Sequence, residues 1–281
     1  MTIVILGAGD IGAAVARQVA AADLASRVVL VDEAGPVAAG KALDIAQAAP
    51  VDGYSTALQG TDDAMAVAGA GVIVLADRAG APGGEWRDDS GLDLVRRVAG
   101  YNQVAPILCA GPSQAKIIDR GVNELGLPRT RLFGTAPESL RASVVALVGL
   151  DAEASPGEIS LLVVGRAPDE VIVPWESASI AGRRAVDVLP PPVITRIEGR
   201  LPRLWPPGAT ALGAAAARVI RSMVTRAPRT HALQVALSRA EGPSARSAIL
   251  PARVALHGIL RVEPPPLSSR DRVRLDTALA R

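Results

Sequence analysis

The chain has 281 residues, room for one large or two ordinary domains, and 49% of them are hydrophobic. Thirty basic against 28 acidic residues leave a net charge of +2, with no basic block. That argues against nucleic acid as the main partner and leaves room for a small anionic metabolite. The single cysteine, Cys109, excludes an internal disulfide and suits a reducing compartment, and no apolar run reaches membrane-spanning length. With an opening that lacks a leader's charged segment, the expectation is a soluble, cytoplasmic chain.

In chain order, residues 3–6 (Ile-Val-Ile-Leu) read as a short buried strand running straight into Gly7-Ala8-Gly9-Asp10-Ile11-Gly12. Residues 13–24 carry apolar side chains at helical spacing, residues 27–31 are a second strand, and Asp32 follows it. Strand, glycine turn, helix, strand and acid make the complete context of a dinucleotide site. Gly7 permits the turn, Gly9 lets a pyrophosphate approach the backbone, and Gly12 lets the helix pack closely on the strand. Asp10 and Ile11 open the helix, whose free N–H groups face the phosphates. Asp32 is placed to accept the ribose hydroxyls and to repel a 2′-phosphate, which favours NAD over NADP.

Further alternation follows. Strands are expected at 71–76, 106–110 and 131–134, with helices at 92–104 and 113–125. This predicts an α/β fold, a doubly wound parallel Rossmann sheet over residues 1–135. Residues 136–281 read as an α+β domain. It has a helix at 138–149, a hairpin of 159–164 with 170–173, and a Pro-rich loop or broken helix at 188–208. An Ala-rich helix at 209–226, antiparallel strands at 231–237, 248–256 and 259–262, and a helix from Ser268 complete it.

The run Ile3 to Gly12, the segment Gly40-Lys41-Ala42-Leu43-Asp44-Ile45 with Ala48-Ala49-Pro50, and Gly60-Thr61-Asp62-Asp63 resemble the lactate/malate dehydrogenase family, most nearly its bacterial malate dehydrogenases. The resemblance implies hydride transfer between NAD and a 2-hydroxy or 2-keto acid, and a homo-oligomer. It also implies a catalytic His fixed by an Asp, an Arg gripping the substrate carboxylate, a second Arg on a loop over the site, and an Asn near the nicotinamide. By that resemblance Arg141 corresponds to the carboxylate-binding Arg and Glu138 to the orienting Asp. Arg87 corresponds to the loop Arg, with one residue inserted, and Pro82-Gly83 to the loop's Pro-Gly. Gly111 stands at the Asn position and Arg166 at the His position. Arg stays protonated near neutrality and cannot act as a general base. His231 and His257, the chain's two histidines, fall among the C-terminal strands and read as structural or surface residues.

The expectation is therefore an NAD-binding relative that lacks ordinary dehydrogenase activity, with Arg166 paired to Glu138 in the old substrate pocket. Two alternatives stand beside it. One is an active malate or lactate dehydrogenase using a different base. The other is a nucleotide-sensing regulatory module, against which the family-like segments at 40–50 and 60–63 and the second domain count.

Overall fold

A computed structural model describes residues 1–80, 84–225, 227–238 and 246–280. The Pro82-Gly83 correspondence lies outside the described residues. The first six strands are β1 (Thr2–Leu6), β2 (Arg27–Val31), β3 (Ala57–Thr61), β4 (Val72–Leu75), β5 (Ile107–Cys109) and β6 (Leu132–Gly134). They pair in parallel in the order β3-β2-β1-β4-β5-β6. Helices α1 (Asp10–Ala21), α2 (Gly35–Asp52), α3 (Asp88–Tyr101) and α4 (Ala115–Asn123) make the crossovers. Alternate residues of β1 feed two cores, Ile3 and Ile5 into one and Val4 and Leu6 into the other. A strand buried on both faces must be apolar throughout, which is why these runs do not alternate. The expected Rossmann sheet is present. Helix α2 is an element that periodicity had not marked, because its apolar face is poor and Pro50 lies inside it.

The second half starts with α5 (Ala136–Ala152). Three short strands follow, β7 (Ile159–Ser160), β8 (Val164–Arg166) and β9 (Glu170–Ile172), and then β10 (Ser179–Ile180) and β11 (Arg183–Arg184). Helices α6 (Ala185–Val188), α7 (Pro191–Glu198) and α8 (Ala209–Val224) lead to β12 (Thr230–Ala236), β13 (Ser247–Ala255), β14 (Gly258–Val262) and α9 (Ser269–Ala280). Of the loop or broken helix expected for the Pro-rich segment, the structure has the broken helix, α7 plus one short 3-10 turn at Leu201–Leu204.

The expected hairpin of 159–164 with 170–173 is corrected. Only β8 pairs with β9, while β7 pairs with β10 in a separate three-stranded sheet. Ile159 and Ile180 are register partners buried in the same core, and that burial draws β7 away from β8.

One sheet runs through both halves, because β12 joins β6 antiparallel and continues through β13 to β8 and β9. Helix α8 also lies on α1 so closely that a Cβ at Gly213 would overlap Ala14. With one Phe in the chain, small side chains and close backbone approach replace aromatic bulk in this core.

Candidate functional site

The glycine turn follows from the sheet geometry. Gly7 leaves β1 with φ +105° and touches the Asp77 backbone, an approach that only a residue without Cβ permits. A Cβ at Gly12 would overlap the Gly7 carbonyl, so Gly12 packs helix to strand as expected. Asp10 and Ile11 form the first turn of α1. Ile11 turns into the core, while exposed Asp10 lies 3.7 Å from Lys41 Nζ, which donates to the Gly9 carbonyl at 3.2 Å.

The space above Gly9 is filled by the chain itself. Asp77 stands two residues beyond β4, and a Cβ at Gly9 would overlap its carboxyl group. Asp77 Oδ1 accepts the Gly12 N–H at 3.0 Å, and its carbonyl accepts the Gly9 N–H at 2.8 Å. Asp32 is likewise engaged. Its carboxylate, 4% exposed, accepts N–H groups from Ala8 at 2.8 Å, Ala34 at 2.9 Å and Ala79 at 2.8 Å. A carboxylate offers about four lone-pair directions, so little is left for a ribose diol. The glycine frame is that of a dinucleotide domain, but with Asp77 seated there the residues do not fit a pyrophosphate. Asp77 and Glu85 were missed by sequence reasoning. The usable signal was an acid placed immediately after the buried run 71–76.

The loop after β4 folds back through a bridge between Asp77 and Glu85, and the Arg78 N–H donates to the Gly84 carbonyl at 2.8 Å. The Arg78 guanidinium lies over the Trp86 ring, 4.9 Å from its centre. Glu85 is buried, accepts the Ser113 N–H at 2.9 Å and occupies the space that a side chain at Gly111 would need.

Arg87 and Arg166 meet in one cavity of about 460 Å³, lined also by Ser113, Lys116, Asp119 and Gln234. Asp119 is a further residue that sequence reasoning missed. Burial pushes its carboxyl up to about 6, against a Ser247 hydrogen bond and the charges of Arg166 and Arg246. Three cations, Arg87, Lys116 and Arg166, face two carboxyls, Asp88 and Asp119, with Asp88 3.7 Å from Lys116 Nζ; the surplus of positive charge suits a small anion.

Glu138 and Arg141 lie elsewhere. Glu138 borders a cleft of about 710 Å³ between α1, α5 and α8, and Arg141 is its ion-pair partner. The expected Arg166–Glu138 pair does not form. Arg141 instead grips Glu138 with two bonds, Nε to Oε2 at 2.9 Å and Nη2 to Oε1 at 2.7 Å. The Ala232 N–H donates to Oε2 at 3.0 Å, and Arg218 Nε stands 3.1 Å from Oε1. One turn of α5 sets the pair together, and the α8–β12 corner closes over it, so neither residue turns toward Arg166. Burial raises the Glu138 carboxyl, but the His231 and Arg141 contacts and the Arg141 charge outweigh it and hold it at about 2.

His231, 1% exposed, sits behind Glu138 with Nδ1 at 3.3 Å from Oε1 but out of line for a hydrogen bond. Its Nε2 is 2.8 Å from Ser222 Oγ. Ser222 lies within α8, whose N–H groups are committed to the helix, so this Ser–His–Glu line has no cradle for an oxyanion. It is a packing contact. His257 is exposed in the β13–β14 turn.

Comparison with known proteins agrees with the fold and the glycine frame. The family model of the lactate/malate dehydrogenase NAD-binding domain matches residues 1–99. A malate dehydrogenase of Desulforudis audaxviator is 33% identical over 196 residues, 67% of this chain and 63% of that protein. One from Thioalkalivibrio sulfidiphilus is 30% identical over 207 residues, 70% of this chain and 67% of that protein. The matched stretches span 63% and 61% of the first two curated relatives, about three fifths of their length. The malate dehydrogenase structure from Aeropyrum pernix superposes with a TM-score of 0.89 at 18% identity, covering 99% of this chain and 95% of that one. The Salinibacter ruber malate dehydrogenase structure gives 0.87 at 21% identity, covering 99% and 94%. At that identity the structural likeness is one of fold. The chain belongs to the lactate/malate dehydrogenase family, and its N-terminal part is that family's NAD-binding domain.

Proposed function

We propose that this chain is a family member that keeps the nucleotide domain and has lost hydride transfer between 2-hydroxy and 2-keto acids. One observation carries the reading: no imidazole reaches the Arg87–Arg166 cavity. The chain has two histidines; His231 is sealed behind Glu138, and His257 lies in an exposed turn. A general base must come within hydrogen-bonding reach of the proton it takes, and a guanidinium cannot take one. Arg87, Arg166 and Lys116 would bind a small anionic metabolite there without reacting. The NAD domain would then serve as a structural or sensing element. The test is to mix protein, NADH and oxaloacetate or pyruvate and follow the loss of reduced cofactor. Turnover well above the protein-free rate would refute the proposal.

A second reading, an active dehydrogenase with a different base, is favoured by Asp119. Burial raises its carboxyl to about 6 in the same cavity as Arg166. If turnover appears and Asp119→Asn abolishes it, the second reading replaces the first.

A further inference from the structure

We infer that Asp77 is a built-in competitor of the dinucleotide, its carboxylate holding the seat on α1 that a pyrophosphate would take. This rests on reading the N-terminal domain as NAD-binding.

A helix N-terminus presents N–H groups and partial positive charge, and an anion seated there satisfies both. Here the anion comes from the chain. Asp77 takes the Gly12 N–H through its side chain and the Gly9 N–H through its carbonyl. Its carboxyl fills the volume that the absent Gly9 side chain leaves open.

The backbone around it is pinned. Residue 77 bridges to Glu85, the Arg78 N–H is held by the Gly84 carbonyl, and the Ala79 N–H is held by Asp32. Glu85 places a second carboxylate further along, in the space over Gly111. A pyrophosphate arriving at Gly9 would meet like charge and occupied volume together, and must displace the Asp77 side chain to bind. Asp77 thus acts on affinity without touching any reacting atom.

The experiment is a titration of the full chain with NADH, read by cofactor fluorescence or calorimetry, for wild type, Asp77→Asn and Asp77→Ala. Asp77→Ala removes both charge and bulk, and should lower Kd at least about tenfold. Asp77→Asn keeps the shape and can still accept the Gly12 N–H, so it folds even if the alanine variant does not. It should fall between the two. Adenosine, which has no phosphate, should bind all three alike. If wild type binds NADH as tightly as Asp77→Ala and Asp77→Asn, the inference is overturned while the NAD reading stands. If none of the three binds NADH, both fail together.

Discussion

Replacing Glu138 by Gln removes one charge from a buried cluster and keeps its shape. Glu138 is 1% exposed, and the Arg141 side chain beside it is 13% exposed. The substitution leaves the Arg141 guanidinium facing a neutral amide, with half-exposed Arg218 relieved into solvent. Two routes give the size of the effect. Breaking a buried pair by removing one partner costs about 3–5 kcal/mol. Independently, a carboxyl held at about 2 rather than its ordinary 4.5 corresponds to about 3 kcal/mol at roughly 1.4 kcal/mol per tenfold. Urea denaturation at pH 7 should therefore show Glu138→Gln less stable by about 3 kcal/mol. The sign with pH is also fixed. A carboxyl depressed in the folded state stabilises above its unfolded value and loses that contribution as pH falls through the folded one. The gap between wild type and variant should be full above about pH 5 and shrink steadily toward pH 2. A difference under about 1 kcal/mol at pH 7, or a gap constant down to pH 3, would refute the account of this cluster.

Two further outcomes are expected. Asp119 is raised to about 6 mainly by burial, so its contribution is favourable below the unfolded value of 3.8 and is lost as pH rises through about 6. Asp119→Asn, always neutral, should gain melting temperature over wild type between pH 4.5 and pH 7.5, and a gain that does not grow with pH refutes this. Gly165 in β8 has φ +106°, and a Cβ there would overlap the Glu170 carbonyl. Gly165→Ala should cost about 2 kcal/mol or more in the same denaturation assay, and a neutral result would show that β8 and β9 can separate.

Much of this was written along the chain. The continuous apolar runs at 3–6, 28–31 and 71–76 had to be strands buried on both faces, since any polar residue there would lose its water. The glycines at 7, 9 and 12 likewise required a turn pressed against its neighbour. Local pattern decides these features because period and steric freedom are properties of adjacent residues. The resemblance alone set Arg166 at the imidazole's position, and with two histidines in the chain the candidates for a base were few.

Contacts between distant segments were set only by folding. Glu138 and Arg141 could be paired from their spacing. That they turn to Ala232 and His231 rather than Arg166 depends on where β12 crosses α5, 94 residues downstream of Glu138. The joining of β6 to β12, which makes one sheet of both halves and leaves a Rossmann fragment with a bare edge, carries no local signature. Asp77 lies 65 residues from the Gly12 N–H it occupies. In sequence it is an acid after a strand. Only the parallel pairing of β1 with β4, which brings both strand ends to one edge, turns it into an anion on the helix and sets it against the cofactor that the glycines beside it would hold.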